Sequence, residues 1–350
     1  MIKKHGFETL VNVRGNANIN FDGLVNKAKD MSRRWQDTIA MQHSHASTVR
    51  LTPDASVEYT DQFGRNFHAD VSDYAFSQMC SKAGVPASYI MKCLETGHEE
   101  LAIQNFKEWA PENLNDNFLV RKYRDTDGSD TVRAVLTDRY NVFDSGLVLS
   151  SIQDAIHMPE YEGRYEANQA FLSEDRVNLR FVDFNDPLPV QNDKLYSGFT
   201  VSSSDIGSGA LCIKYFVYRF ACRNGLVIAQ GGGTMFRQTH LSDFALQGSM
   251  LFANALEQVD VLNGLVMKQI EDARNKKLDK DMLDMFLMQA QRQLHIGKKG
   301  YEQLSELVNT VYEPTRWGVI NAITEQAQQY TLEDRIAAET FAGKLLGAAA

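Results

Sequence analysis

The chain has 350 residues, of which 43% are hydrophobic and 23% are charged, a composition that excludes a fibrous or largely disordered protein. Because a single hydrophobic core stops growing at about 250 to 300 residues, we expect more than one subdomain. The formal net charge of -9 excludes a protein that coats nucleic acid by bulk attraction, although it allows a local basic face.

The first predicted region, residues 1–117, combines helices with small strands. Apolar residues recur at helical intervals within residues 20–40, following an Asn and an Asp that can cap a helix. These residues are Leu24, Ala28, Met31, Trp35 and Ile39. The spacing predicts a first amphipathic helix.

Two further segments complete this region. Residues 47–67 form short runs that are divided by turn residues, which predicts small strands. Residues 70–97 contain a helical pattern, a Gly-Val-Pro break and a second short helical pattern. The second pattern begins with Ala87, Ser88 and Tyr89 rather than with basic residues, so we expect a packed helical hairpin instead of a DNA-reading helix.

The remainder of the chain divides into a central β-rich core, residues 118–240, and a C-terminal helical region, residues 241–350. Residues 118–137 read as two strands around an acidic loop, and residues 176–240 are the richest in strand patterns. After Leu241 five successive helical patterns follow. The predicted fold class is α+β, with a mostly antiparallel central sheet and a helical C-terminal third.

The amino-acid pattern contains no indication of a membrane span or a secretion signal, so we expect a cytoplasmic protein. Its four cysteines have no C-x-x-C spacing, and no nucleotide-binding or hydrolase motif is present. We therefore predict no disulfide, no metal site and no cofactor. Whether the protein is an enzyme stays open, although a non-enzymatic role is favoured.

One stretch raises a specific question, because FVYRFACRNGLV at residues 216–227 places Arg219 and Arg223 inside an apolar run. Guanidinium groups are rarely buried without a partner. In a hairpin that turns at Asn224-Gly225, or in a helical turn that ends there, the two arginines share one face. They either pair with an internal Asp such as Asp183 or form a rim that binds phosphate.

The segment from Arg176 to His240 favours the phosphate rim, because it holds seven basic residues against four acidic ones. Aromatic residues alternate with these charges, as in grooves that bind single-stranded nucleic acid. The candidate nucleic-acid-binding residues are Arg176, Arg180, Lys214, Tyr218, Arg219, Arg223, Phe236, Arg237 and His240.

Four motifs carry a family resemblance: AVLTDRYNVFD at 134–144, SSDIGSGA at 203–210, YRFACRNGL at 218–226 and RQTH at 237–240. In order and spacing they resemble uncharacterised phage- and plasmid-borne proteins that share a domain of unknown function. The resemblance implies a mobile-element protein in a bacterial host but no reaction. A relation to phage single-strand annealing recombinases rests on fold-level analogy alone.

Three hypotheses about function follow. The first is a non-enzymatic protein of a mobile element that binds single-stranded DNA during recombination or replication, with assembly into a homo-oligomer left open. The second is a host-interaction or counter-defence protein whose acidic surface binds a protein partner. The third is a metal-dependent nuclease that uses Asp183, Asp186 or the histidines His43, His45 and His68.

Overall fold

The structure is a computed structural model that describes residues 9–13, 19–40, 49–52, 56–109, 117–124, 128–190, 193–220, 224–228, 233–240 and 247–347. The helices in these ranges are α1 (Phe21–Ser32), α2 (Asp73–Ala83), α3 (Ala87–Glu95), α4 (Glu99–Trp109), α5 (Ser145–Ile156), α6 (Gly248–Asn275), α7 (Lys280–Gln293), α8 (Lys298–Thr310), α9 (Arg316–Gln326) and α10 (Leu332–Leu346). The strands are β1 (Thr9–Val13), β2 (Trp35–Ala40), β3 (Val49–Leu51), β4 (Val57–Thr60), β5 (Asn66–Val71), β6 (Phe118–Arg124), β7 (Asp130–Thr137), β8 (Glu166–Ser173), β9 (Arg176–Leu188), β10 (Leu195–Ser204), β11 (Leu211–Arg219), β12 (Asn224–Ile228) and β13 (Thr234–Gln238).

These strands form two sheets. Sheet A runs in the order β1-β8-β9-β10-β11-β12, and β13 also pairs with β11. Sheet B runs in the order β2-β6-β7-β5-β4-β3, with one parallel pair between β5 and β7. Helices α6 to α10 make the C-terminal third helical, so the predicted α+β class is confirmed. The predicted domain boundaries stay predictions, and strands from both sides of residue 117 pair in sheet B.

The first helix is shorter than its hydrophobic spacing predicts. Asn20 caps α1 by accepting a hydrogen bond from the amide of Gly23, as expected. The helix ends at Ser32, however, and β2 pairs with β6 from Trp35 to Ala40. The prediction of helix beyond residue 32 is therefore wrong, because pairing with a distant strand overrides the local periodicity.

The helical hairpin within residues 70–97 is confirmed. Ser72 caps α2, and Gly84 ends it with a φ of 72° in the left-handed region, where glycine carries no steric penalty. Pro86 then precedes α3. Buried residues of α2 such as Phe76 and Met79 pack in the same core as sheet B, so this hairpin is part of the protein interior.

Sheet A has helices on both faces. On one face, Phe181 and Ile213 belong to the large core that includes buried residues of α1, α5 and α6. On the other face, Arg180 of β9 forms an ion pair with Glu339 of α10. Because side chains alternate along a strand, Leu179 and Phe181 lie on the first face, whereas Asn178 and Arg180 lie on the second, which we call the polar face although it also carries the buried Val182.

The structure also answers part of the question posed by FVYRFACRNGLV. Asn224 and Gly225 do not form a turn, because they belong to β12 and pair with Arg219 and Tyr218 of β11. Both turn geometries that the sequence suggested are therefore wrong. Arg223 lies outside the described residues.

Candidate functional site

The two sheets meet where turns at one end of sheet A contact sheet B. Arg121 of β6 donates a hydrogen bond to the carbonyl of Asp205, in the turn after β10. Arg133 of β7 donates to the carbonyl of Glu174, in the turn between β8 and β9. Gln78 of α2 donates to the carbonyl of Ile206 at 3.2 Å. These bonds attach both turns of sheet A to sheet B.

A buried charge cluster, formed by Arg121, Arg133, Asp37, Asp144 and Asp205, reinforces this junction. Arg121 donates from Nε to Asp37 at 2.9 Å and from Nη2 to Asp144 at 2.7 Å. The guanidinium of Arg133 lies 4.0 Å from the carboxylate of Asp205. Both arginines are almost completely buried. A buried arginine requires such partners because an unpaired charge in the interior is costly.

Arg133 is less fully paired than Arg121. Its guanidinium carbon lies 3.9 Å from the centroid of the Trp35 ring, a cation–π contact. Its Nε and Nη1 atoms have no hydrogen-bond partner among the described residues. Burial lowers the pKa of Arg133 from its usual value.

Asp205 is the most perturbed carboxyl group of the cluster. Burial, followed by the nearby charge of Asp144, raises its pKa from 3.8 to about 7, although Arg133 and Arg121 act in the opposite direction. The amide and hydroxyl of Ser145 donate to its carboxylate at 3.0 and 2.9 Å. Asp205 therefore fixes the start of α5 against the turn after β10.

An open cavity of about 640 Å³, the interlayer cleft, lies beside this cluster. Its walls come from α2, the end of β7, the turn after β10 and the end of β13. The described residues that line it are Ser77, Gln78, Ser81, Lys82, Val135, Leu136, Thr137, Tyr140, Gly207, Ser208, Gly209, Ala210, Arg237, Thr239 and His240. Lys82 and Arg237 supply positive charge, and none of these lining residues carries a carboxylate. The cleft therefore suits an anionic ligand in an otherwise acidic protein.

The turn after β10 contributes glycine backbone to the cleft. Gly207 has a φ of 78°, and a Cβ atom there would lie 2.7 Å from the side chain of Leu136. The Ser204 hydroxyl accepts hydrogen bonds from the amides of Ile206 and Ser208. The amides of Gly207 and Gly209 have no acceptor among the described residues. Amides without internal acceptors in such a turn can bind an anion.

Two stacked rings, Tyr140 and His240, form another wall of the cleft, and Phe143 stacks on the other side of His240. His240 lies between Tyr140 and Phe143, with ring centroids 4.5 and 3.6 Å away. Burial lowers the pKa of His240 from 6.5 to about 4, so the ring is neutral at pH 7. Its Nδ1 lies 3.2 Å from the carbonyl oxygen of Asn141, which can only accept, so Nδ1 carries the proton. Nε2 is then an acceptor, and it has no partner among the described residues.

Four of the candidate cations lie on the polar face of sheet A, and we name three of them the cationic strip: Arg176, Lys214 and Arg237. The fourth, Arg180, lies across Thr200 from Lys214. Arg176 and Asn178 project from the same face of β9. Across the neighbouring strands Asn178 is opposite Ser202, Ser202 is opposite Cys212, and Cys212 is opposite Arg237, so Arg237 lies on this face too. Lys214 lies two residues after Cys212 and so shares that face. Neither Lys214 nor Arg237 has an ion-pair partner within the described parts of the chain, whereas Arg176 pairs with Asp175 and Glu333.

The other candidates do not belong to the cationic strip. Arg180 is buried against Glu339, and Arg219 pairs with Asp193 at 2.7 Å, at the far end of β11. Tyr218 is buried in a small apolar cluster on the polar face. Phe236 is opposite Ile213 and packs against the large core. His240 lines the cleft but is largely buried.

Sequence reasoning missed several residues of the cleft, above all Lys82 and Tyr140. Lys82 lies on α2, far along the chain from the basic segment that the sequence highlights. A signal was nevertheless present in the motifs at 134–144, 203–210 and 237–240, because each contributes residues to the cleft. The fourth motif, at 218–226, lies at the opposite end of β11.

None of the described helices is long and apolar enough to cross a membrane.

Comparisons with known proteins give one match. No curated protein and no solved structure matches the chain. A family model described as a domain of unknown function, DUF932, matches residues 133–341, which is more than half of the chain and includes the three motifs that meet at the cleft. The chain therefore belongs to the DUF932 family of proteins.

Proposed function

We propose that this chain is a non-enzymatic protein of a phage or another mobile element that binds single-stranded DNA, in recombination or replication. The observation that supports the proposal is the arrangement of charge at the candidate site. Lys214 and Arg237 share one sheet face without ion-pair partners in the described chain, and that face leads to a cleft whose described lining residues carry no carboxylate.

For strand binding, the positions of the positive charges matter more than the net charge of the protein. Although the net charge is -9, DNA binding requires only that a few cations replace the counterions along the phosphate backbone. Arg237 is exposed and Lys214 is half-buried, so both remain close to solvent. The side chain of Arg176 is 39% exposed, and its pair with Glu333 lies at the surface, where such pairs are weak. Its other partner, Asp175, is buried.

The aromatic component of the proposed surface is Tyr140. Sequence-tolerant binding of single strands combines cations with aromatic rings on which bases stack. Tyr140 lines the cleft and is held in place by stacking on His240 and by a hydrogen bond from its hydroxyl to the carbonyl of Ser204. It therefore replaces Tyr218, whose ring is buried, as the aromatic contact in the proposal.

The experiment that tests this proposal is a titration of a fluorescent single-stranded oligonucleotide with purified protein at several salt concentrations. Binding that weakens as the salt concentration rises is the expected result, because each phosphate contact releases counterions. No binding at low salt, or binding that does not respond to salt, would exclude the proposed mode. Duplex DNA of the same length serves as the comparison ligand.

A protein partner is the second candidate function, and exposed apolar residues favour it. Val261 and Leu265 are 76% and 44% exposed on α6, one helical turn apart. Met285 and Met288 are likewise exposed on α7. Light scattering of the purified protein tests self-association through these helices, and replacing Val261 and Leu265 with Gln should abolish any oligomer that uses them.

The nuclease alternative receives less support from the position of its carboxylates. Asp183 is buried and accepts a hydrogen bond from Nε of Arg164 at 2.7 Å, and Arg164 also pairs with Asp260. Asp183 is thereby engaged as the partner of a cation. Of the histidines named for this alternative, His43 and His45 lie outside the described residues. Cleavage of DNA in the presence of magnesium or manganese that disappears in Asp183→Asn would restore this alternative.

A further inference from the structure

We infer that α6 forms a two-fold dimer interface, in which the exposed face of the helix packs antiparallel against the same face of a second copy of this chain. The inference rests on the second candidate function, binding of a protein partner, and names that partner. It does not depend on strand binding. Three properties of α6 support it: the exposure of apolar side chains, their spacing, and the charges that flank them.

The 28-residue helix α6 packs against the core on one side only. The buried side chains on that side recur at helical intervals: Phe252, Ala255, Leu256, Val259, Leu262, Val266, Ile270 and Ala273. A helix that packs on one side is expected to be polar on the other. Here Met250, Val261 and Leu265 lie on the opposite side and are 64%, 76% and 44% exposed. These apolar side chains project away from the core.

The exposed face of α6 has the spacing of a helix–helix contact. Its exposed residues follow one another at intervals of three or four: Met250, Asn254, Glu257, Val261, Leu265, Lys268 and Asp272. Such a stripe lies along one side of a helix and is the pattern that packs against a second helix in a coiled coil. Gly264 lies between Val261 and Leu265 in the chain, and a Cβ atom there would have no other atom within 4 Å. A second helix can therefore approach closely at the middle of this face.

The charges on this face identify the partner as a second copy. Glu257 precedes the apolar pair of Val261 and Leu265, and Lys268 follows it. Both charged residues are exposed, and neither has an ion-pair partner among the described residues. When Val261 of each antiparallel copy lies opposite Leu265 of the other, Glu257 falls within one residue, about 1.5 Å along the axis, of Lys268 in the other copy. A parallel pairing would instead place like charges side by side.

Symmetry doubles each of these contacts. In a two-fold interface the same patch is used on both copies, so every contact between two different residues occurs twice. The dimer therefore contains two Val261–Leu265 contacts and two Glu257–Lys268 pairs. The same register places Asn254 opposite Asp272, whose carboxylate can accept a hydrogen bond from the side-chain amide. No like charges meet among these residues.

The test is analytical ultracentrifugation of the full chain over a range of protein concentrations, with charge reversal at each end of the face. We expect a monomer–dimer equilibrium for the unaltered protein. Glu257→Lys and Lys268→Glu should each raise the dimer Kd at least about tenfold, because each creates two like-charge pairs in place of two attractive ones. The double reversal Glu257→Lys/Lys268→Glu restores opposite charges and should return the Kd to within about threefold of the original.

Glu306→Lys is the matched control, since it makes the same change of charge at an exposed position of α8 and should leave the Kd unchanged. A protein that stays monomeric at every concentration would overturn both the inference and self-association as a candidate function. A dimer that tolerates the single reversals would overturn the inference alone, because another surface would then hold it together. A double reversal that fails to restore the dimer would likewise overturn the antiparallel pairing.

Discussion

Arg180 on β9 and Glu339 on α10 form a two-point ion pair inside the protein, although 159 residues separate them along the chain. Arg180 also lies 4.8 Å from the centroid of the Phe216 ring. The pair joins the C-terminal helix to the polar face of sheet A. Arg180 is therefore engaged in the fold, and the cations that remain for a ligand lie elsewhere on that face.

The first prediction concerns this ion pair. Arg335 also donates to Glu339, at 3.0 Å, so Arg180→Gln leaves the carboxylate one partner whereas Glu339→Gln leaves two buried arginines without a counter-charge. We expect both changes to destabilise the protein, by about 3 to 5 kcal/mol for Glu339→Gln and by less for Arg180→Gln. Urea unfolding measures both free energies.

The matched control for this prediction is Arg237→Gln, which removes an exposed arginine without an ion-pair partner in the described chain from the same sheet face. Its cost should stay within about 0.5 kcal/mol, as for most surface substitutions. An Arg180→Gln protein as stable as the Arg237→Gln protein would contradict the assignment of Arg180 to the fold.

The second prediction uses the buried carboxyl group of Asp205. The pKa of Asp205 is about 7 in the folded protein and 3.8 in the unfolded reference state. Between these two pH values the folded protein therefore binds a proton that the unfolded chain has released. The stability that this proton contributes is fully present below 3.8 and is lost as the pH rises through about 7. The unaltered protein should therefore lose stability relative to Asp205→Asn as the pH rises, by at most about 1.4 kcal/mol per pH unit. A difference that does not change with pH in urea unfolding would refute this.

The third prediction has the opposite sign and concerns His240. Its pKa is about 4 in the folded protein and 6.5 in the reference state, so the folded state excludes the proton. The contribution of neutral His240 to stability is present above pH 6.5 and is lost as the pH falls through about 4. In His240→Phe, which keeps a ring between Tyr140 and Phe143, this loss on acidification should disappear. Thermal melting at a series of pH values tests it, and parallel curves for the two proteins would count against the prediction.

The fourth prediction concerns Arg219, which the sequence assigns to a phosphate rim. The buried carboxylate of Asp193 accepts from its Nε, and its guanidinium lies 5.6 Å from the centroid of the Tyr312 ring. We expect Arg219→Gln to cost about 1 to 3 kcal/mol, because Asp193 loses its charged partner. Strand affinity measured at a temperature where the variant is folded should hardly change. A stable variant with weakened DNA binding would return Arg219 to the binding surface.

The helical part of the fold could be predicted because its signals are local. Asp279, Thr315 and Thr331 each cap the helix that follows them, and each is adjacent to a clear helical pattern. The same local reasoning failed for residues 35–40, where Trp35 continues the helical spacing but pairs across sheet B with Tyr123. Strand pairing depends on residues that are distant along the chain, so no local pattern reveals it.

The candidate site could be predicted only in part, for a related reason. Composition located a basic segment, but it could not separate cations with internal partners from cations without them. Arg180 and Arg219 pair with carboxylates that belong to other elements, Glu339 and Asp193. Lys82 on α2 and Tyr140 after β7 are distant from Arg237 along the chain, and only the packing of both sheets brings all three to one cleft.

The fifth prediction tests the proposed single-strand binding most directly, by the slope of the logarithm of affinity against the logarithm of salt concentration. Fluorescence anisotropy with a single-stranded oligonucleotide should give a shallower slope for Lys214→Gln/Arg237→Gln than for the unaltered protein, by about 0.7 for each phosphate that the variant no longer neutralises. Lys298→Gln/Lys299→Gln removes the same charge from the exposed start of α8 and should keep the original slope. Equal slopes in the two double variants, or no binding by the unaltered protein, would contradict the proposal that the cationic strip binds single-stranded DNA.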